Sequence, residues 1–166
     1  MKKLSFLFLA AVFALAAADQ GYAQTKTIVL VRHAEKADGT SQDPELSASG
    51  KERAQRLVKK VNKYRPKEIY STDFKRTKDT VQPLAAKRHL QIQTYDAKDP
   101  KALVAKILAS PSKRVLVSGH SNTVPGLANL LAKKELFKNL DDTEYGAIWV
   151  IRIKKGELQK VEILSY

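Results

Sequence analysis

The sequence predicts an α/β domain: a three-layer α/β/α sandwich with a mostly parallel sheet, helices on both faces and a C-terminal β-hairpin. Three observations predict it. Short apolar runs rich in β-branched residues alternate with longer stretches of helical periodicity, the pattern of parallel strands joined by helices. Two of those runs, Thr27–Val31 and Val115–Ser118, carry no charged residue and have no polar face, as expected of strands covered on both sides. Two further apolar segments flank Lys154-Lys155-Gly156-Glu157, a hairpin signal close to the end of the chain.

Each element follows in order. Thr27–Val31 is the first strand. Leu46-Ser47-Ala48-Ser49-Gly50 opens a helix to about Tyr64, with Ala54, Leu57, Val58 and Val61 on one face and Lys and Arg on the other; Pro66 closes it. Ile69–Ser71 is a short second strand. Lys75–Lys87 reads as a second helix with Val81, Leu84 and Ala85 inward, and Pro83 within it kinks or breaks it. Leu90–Tyr95 is a third strand by alternation, and Lys101–Ala109 a third helix with Leu103, Val104, Ile107 and Leu108. Val115–Ser118 is the fourth strand. Asn122–Leu131 is the fourth helix, with Pro125 in its first turn, where proline is tolerated. Residues 133–146 are polar and irregular. Ala147–Ile153 and Lys160–Leu164 form the hairpin. No internal repeat or interdomain linker interrupts this order.

Residues 1–23 stand apart. Lys2 and Lys3, the apolar run Leu4–Ala18 and the small residues of Gly21-Tyr22-Ala23 have the layout of a secretory signal cut after Ala23. The apolar run is shorter than the ~20 residues that span a bilayer comfortably, so no stable membrane span is expected after cleavage. The expected organisation is a signal peptide over 1–23 and one domain over 24–166, periplasmic or secreted.

Composition narrows the function classes. Of 166 residues, 43% are hydrophobic and 28% charged, which excludes collagen-like, mucin-like and wholly disordered chains. There is no cysteine, hence no disulfide, no thiolate metal site and no thiol nucleophile. The net charge is +13, suited to anionic partners. The lysines are spread over every helix with no basic arm and no aromatic sheet signature, so nucleic acid is not an expected partner.

The chemistry collects where three strands end, the edge at which sheets of this class place ligands. Arg32 and His33 follow the first strand. Ser71 and Thr72 follow the second, with Arg76 five positions after Ser71. Gly119 and His120 follow the fourth. Two arginines in one crevice repel unless an anion lies between them, and their planar forks match phosphate oxygens. An imidazole beside them is disfavoured as a cation, and a neutral ring is a nucleophile. The turn Gly119-His120-Ser121-Asn122 leads into a helix whose free N–H groups suit an anion, and Gly119 lets backbone approach closely. His89, between Arg88 and Leu90, is expected on the surface. Taken alone, Arg76 could equally pair with Asp79 on a solvated helix.

These residues resemble a known family. Val31-Arg32-His33-Ala34-Glu35 is similar to the R-H-G/A motif of the histidine phosphatase superfamily, in its phosphoglycerate-mutase-like branch. Leu46–Gly50 resembles that family's L-[ST]-x-x-G helix start. Ser71-Thr72-Asp73-Phe74-Lys75-Arg76-Thr77-Lys78-Asp79-Thr80 resembles its Ser…Arg-Thr…Thr segment, and Ser118-Gly119-His120-Ser121-Asn122 its G-H turn. The four motifs stand in family order from Thr27 to about Leu131.

The resemblance implies that His33 attacks phosphorus to form a phosphohistidine, while Arg32, Arg76 and His120 hold the phosphoryl oxygens and water later releases phosphate. It implies no metal and no cofactor. Two departures stand out. Ala34 replaces the motif glycine, and the general acid that protonates the leaving oxygen has two candidates, Asp96 after the third strand and Glu35 beside His33. Asp96 reads equally well as a plain turn aspartate. Ser121 stands where the acid phosphatase branch often has Asp.

The function implied is an exported phosphatase acting on phosphomonoesters, with a phosphorylated small molecule or an envelope glycolipid phosphate as partner. A non-catalytic anion-binding or envelope-interaction module with a relic site is the alternative. A phosphomutase and a protein phosphohistidine phosphatase rank below both, the first for want of a large covering insertion, the second because export separates it from cytoplasmic relay proteins. The C-terminal hairpin presents an edge strand to which another chain could pair.

Overall fold

The computed structural model describes residues 25–39 and 41–166; the segment 1–23 lies outside the described residues. Its strands are β1 (Lys26–Arg32), β2 (Glu68–Ser71), β3 (Ile92–Thr94), β4 (Arg114–Gly119), β5 (Ala147–Lys154) and β6 (Glu157–Ser165). Its helices are α1 (Ala48–Val61), α2 (Lys75–Arg88), α3 (Pro100–Ala109) and α4 (Thr123–Ala132). They build one six-stranded sheet in the order β3-β2-β4-β1-β5-β6. The first four strands are mutually parallel, whereas β5 runs antiparallel to β1 and β6 antiparallel to β5. The sheet is therefore mixed, with a parallel body and an antiparallel hairpin along one side.

Strand alternation sorts the core into two faces. Ile28, Leu30, Val115, Val117, Trp149 and Ile151 point to the side covered by α3 and α4 through Leu103, Ile107, Val124, Leu127 and Leu131. Val29, Val31, Leu116, Ile148 and Val150 point to the side covered by α1 and α2 through Leu57, Val61, Val81 and Leu84. Both faces of β1 and β4 are thus buried, which is why their sequences are apolar at every step.

This arrangement decides where a ligand can bind. Adjacent strands β1 and β4 are paired in parallel with Arg32 opposite Gly119. The chain leaves β1 toward α1 on one face and leaves β4 toward α4 on the other. The two connections diverge and open a crevice between the strand ends, the switch point of an open α/β sheet.

Local chemistry explains the boundaries. Ser47 caps α1 by accepting the Gly50 N–H at 3.1 Å, and Asp99 caps α3 by accepting the Ala102 N–H at 3.0 Å. A Cβ on Gly50 would lie 2.1 Å from the Glu35 carbonyl oxygen, so only glycine lets the first turn of α1 close on the segment after β1. Helix α2 runs through Pro83 without a break. Lys155 and Gly156 both adopt left-handed backbone, φ 52° and 74°, the two-residue turn that matches strand twist between β5 and β6.

One strand departs from its sequence pattern. Alternation over Leu90–Tyr95 predicts six residues, but β3 holds three. His89 sits at φ 53° after α2, and the Leu90 N–H bonds to the Ala85 carbonyl at 3.0 Å. Leu90 is consumed in terminating the helix, a six-to-one closure common at helix ends. No helix among the described residues is long and apolar enough to cross a membrane.

Candidate active site

Arg32 closes β1 and His33 follows it, its own N–H bonded to the Gly119 carbonyl at 2.9 Å across to β4. His33 is buried, with 6% of its surface exposed. Its Nδ1 lies 2.7 Å from the Ala34 carbonyl oxygen. A carbonyl only accepts, so Nδ1 carries the proton and donates, leaving the Nε2 lone pair as the reactive position. Its pKa falls from 6.5 to about 4, chiefly because burial removes the cation from water, with His120, Arg32 and Arg76 adding repulsion. Sequence reasoning assigns the neutral ring to the arginines, yet in the structure burial is the larger cause.

The turn that presents His33 is fixed from α2. The Ala34 N–H donates to the Thr80 hydroxyl at 2.9 Å, and that hydroxyl donates to the Arg76 carbonyl at 2.7 Å. Thr80 thereby ties the His33 turn to the helix that carries Arg76, a physical reason for a threonine four positions after the arginine.

His120 follows β4, its ring centroid 5.5 Å from that of His33 and the planes inclined by 68°. A chain of hydroxyls sets its tautomer. Thr77 Oγ1 donates to the carbonyls of Phe74 and Thr72, and Thr72 Oγ1 donates to Thr77 Oγ1 at 2.9 Å. Thr72 Oγ1 can then only accept from His120 Nε2, 2.9 Å away. Burial, with Arg76 and Arg32, also brings the His120 pKa down to about 4. Gly119 is required here, since a Cβ would lie 2.5 Å from Thr123 Oγ1 and 2.9 Å from the Tyr95 hydroxyl.

The two arginines are held from different directions. Arg32, 4% exposed, donates through Nη1 to the carbonyls of Asp141 at 2.6 Å and Glu144 at 2.7 Å, and through Nη2 to that of Asp142 at 3.1 Å. Its guanidinium lies 4.4 Å from the centre of the Tyr145 ring, and its Nε is buried without a partner. Arg76 stacks at 4.4 Å on Phe74, whose ring also meets His120 edge-on at 5.0 Å. Arg76 pairs with Asp43 at 3.7 Å rather than with Asp79.

Arg32, His33, Arg76 and His120 line one cavity of about 400 Å³, together with Lys36, Asn122, Asp142 and Tyr145. The two candidate acids are placed elsewhere. Glu35 is gripped by Arg53, whose Nε reaches both its carboxylate oxygens at 2.9 Å, and this holds its carboxyl below the usual carboxylate range. Asp96 accepts the Lys98 N–H at 2.8 Å in a turn and lines a separate cavity of about 430 Å³ with Phe74 and Tyr95. His89 is exposed at the C-terminal end of α2. Among the described residues no group of three His, Cys, Asp or Glu side chains is set to hold a metal ion.

Sequence reading places Thr72 at this edge without giving it a role, and misses Asp43, Asp142 and Tyr145, which sit on polar loops with no pattern to mark them.

Residues 28–97 match the family model of the histidine phosphatase superfamily, branch 1. The chain carries the fold of that superfamily. Solved structures with the histidine phosphatase fold superpose along nearly their whole length. A mycobacterial glucosyl-3-phosphoglycerate phosphatase is 15% identical with a TM-score of 0.66, over 86% of this chain and 99% of its own. The protein histidine phosphatase SixA, solved with tungstate, is 15% identical with a TM-score of 0.69, over 84% and 96%. An Escherichia coli K-12 protein provisionally described as an α-ribazole-5′-P phosphatase is 13% identical with a TM-score of 0.71, over 86% and 97%. No curated protein matches the chain in sequence.

Proposed function

We propose that this protein is a phosphatase that hydrolyses phosphomonoesters through a phosphohistidine on His33. One observation carries the reading: a neutral, buried imidazole, with Nδ1 committed to the Ala34 carbonyl, shares a cavity with two guanidinium groups and a second imidazole. Nε2 of His33 attacks phosphorus as the bond to the leaving oxygen breaks. Arg32 and Arg76 stabilise the charge that spreads over the transferring oxygens, and His120, its Nε2–H given to Thr72, joins them once the bound dianion draws a proton onto Nδ1. Water then attacks the same phosphorus, the P–N bond breaks, and inorganic phosphate leaves with His33 restored. The solved mycobacterial neighbour with inorganic phosphate and SixA with tungstate add support, since both ligands are tetrahedral oxyanions of the kind this cavity suits.

The carboxyls nearest the cavity are engaged, Glu35 with Arg53, Asp43 with Arg76 and Asp142 with Arg32. A leaving group that needs no acid from the protein therefore suits the site, either an aryl ester or a phosphorylated imidazole, whose ring takes its proton from water. The second of these favours a protein phosphohistidine phosphatase as the runner-up. The layout of residues 1–23 supports action outside the cytoplasm on a phosphorylated small molecule or an envelope glycolipid phosphate.

The test is phosphate release from an aryl phosphate, with and without a chelator, alongside quenching in alkaline detergent to trap labelled phosphoenzyme. The expected result is chelator-insensitive turnover with an acid-labile, base-stable adduct, both absent in His33→Ala. Phosphate or lipopolysaccharide binding without turnover would instead favour a non-catalytic anion-binding module. Mass measurement of the exported protein tests the signal, which is expected to be gone through Ala23.

A further inference from the structure

The chain is strongly basic, yet the mouth of its cavity is not. Arg32, Arg76 and Lys36 bring three positive charges there. Asp142 stands 3.7 Å from Arg32, and Asp43 stands 3.7 Å from Arg76. The arginine side chains are buried, 5% and 15% exposed, while Asp142 is fully exposed and Asp43 39% exposed. The carboxylates therefore lie on the solvent side of the guanidiniums, where the group attached to a bound phosphoryl must project.

They come from two different segments. Asp43 belongs to the segment between β1 and α1, whose Ser41, Gln42 and Pro44 line the cavity, and the Lys75 N–H anchors its Oδ1 at 2.9 Å. Asp142 belongs to the segment before β5, where Asp141 and Glu144 add two more exposed carboxylates. The same segment turns three carbonyl oxygens onto Arg32. The arginines thus arrive largely compensated, and one phosphate dianion consumes the remaining positive charge.

We infer that Asp43 and Asp142 are specificity-determining residues: each beside one of the two site arginines, they admit phosphoryl groups attached to a neutral or cationic moiety and reject those attached to a second anion. The inference rests on the phosphatase reading and names the substrate class within it. A second phosphate or carboxylate next to the ester meets the like charge of Asp142 and Asp43, with Lys36 opposing it. The discrimination is electrostatic at a solvent-exposed rim, so it amounts to severalfold and weakens as salt screens it.

The experiment uses three phenyl phosphates of matched size, bearing at the meta position a hydroxymethyl, an aminomethyl or a carboxylate group. The wild-type kcat/KM is expected to be lowest for the carboxylate, by about threefold to tenfold against hydroxymethyl. Asp142→Asn and Asp43→Asn should each narrow that ratio, mainly through KM, and the double variant should bring it close to one. Raising salt should narrow it in the wild type and leave the double variant unmoved. A carboxylate preference in the wild type, or a ratio unchanged in the double variant, overturns the inference.

Turnover of the hydroxymethyl compound that His33→Ala abolishes tests the phosphatase reading separately. Without turnover, calorimetric titration of the three compounds gives the same ratio as a binding preference. Equal affinities, or no binding of any of the three, would count against the role of the two aspartates.

Discussion

His33 and His120 occupy matching places after neighbouring parallel strands, and both are pressed to a pKa of about 4, mainly by burial. Their wiring differs. His33 is held by a backbone carbonyl one residue away, which no side-chain substitution removes. His120 is held by the Thr72 hydroxyl, itself fixed by Thr77. The first arrangement fixes one tautomer and leaves a lone pair for attack. The second commits the ring's N–H to a side chain that another element can adjust. On the phosphatase reading, two equally neutral imidazoles are thus prepared for unequal work: one to form a bond, the other to orient and stabilise.

The largest expected effect breaks the pair outright. His33→Ala should lose turnover by at least ~10⁴-fold and the phosphoenzyme with it, since the other imidazole of the cavity, His120, has its Nε2 held by Thr72. His120→Asn should lower kcat by ~10²–10³-fold while still forming adduct in a single-turnover experiment. A full loss of adduct in His120→Asn, or its survival in His33→Ala, would reverse the assignment of the two rings.

Thr72→Val sharpens the contrast further. It removes the acceptor of His120 and leaves His33 untouched, so kcat should fall by ~10-fold, the equivalent of one hydrogen bond. Asp96→Asn should stay within about threefold, because Asp96 lines the other cavity; a hundredfold fall confined to poor leaving groups would make Asp96 the acid.

Acidity acts on both rings together. Unfolded histidine takes a proton below about 6.5, whereas the folded rings resist until about 4. The unfolded state binds more protons in that interval, so stability rises with pH from about 4 to 6.5 and levels off above. Chemical denaturation across this range should show that slope, smaller in His33→Ala and His120→Asn. Turnover should fall only as pH approaches 4, where His33 becomes a cation and its lone pair is lost.

Much of this was legible in the sequence because burial leaves a mark. Ile28–Val31 and Val115–Val117 had to be sheet interior, and the polar residues that follow had to gather at one edge. Arg32, His33, Arg76 and His120 meet in the structure for that reason. Leu90 was misread because a helix-ending leucine and a strand leucine look alike until His89 is seen in left-handed backbone. Glu35 stood near His33 in the sequence, but its carboxylate turns to Arg53, eighteen positions away. Asp43, Asp142 and Tyr145 were invisible because exposed loops carry no periodicity, and their roles exist only through partners brought from the far side of the fold.

The clamp on Arg32 has a consequence for how the protein comes into being. The three carbonyls that hold this guanidinium emerge from the ribosome 109 to 112 residues after it. Residues 28–97, which bear most of the recognisable motifs, cannot by themselves set the arginine fork. The setting of this fork is therefore a property of the whole domain. On the phosphatase reading, a chain shortened before Asp141 is expected to turn over phosphate esters poorly, because its Arg32 fork has lost these three acceptors.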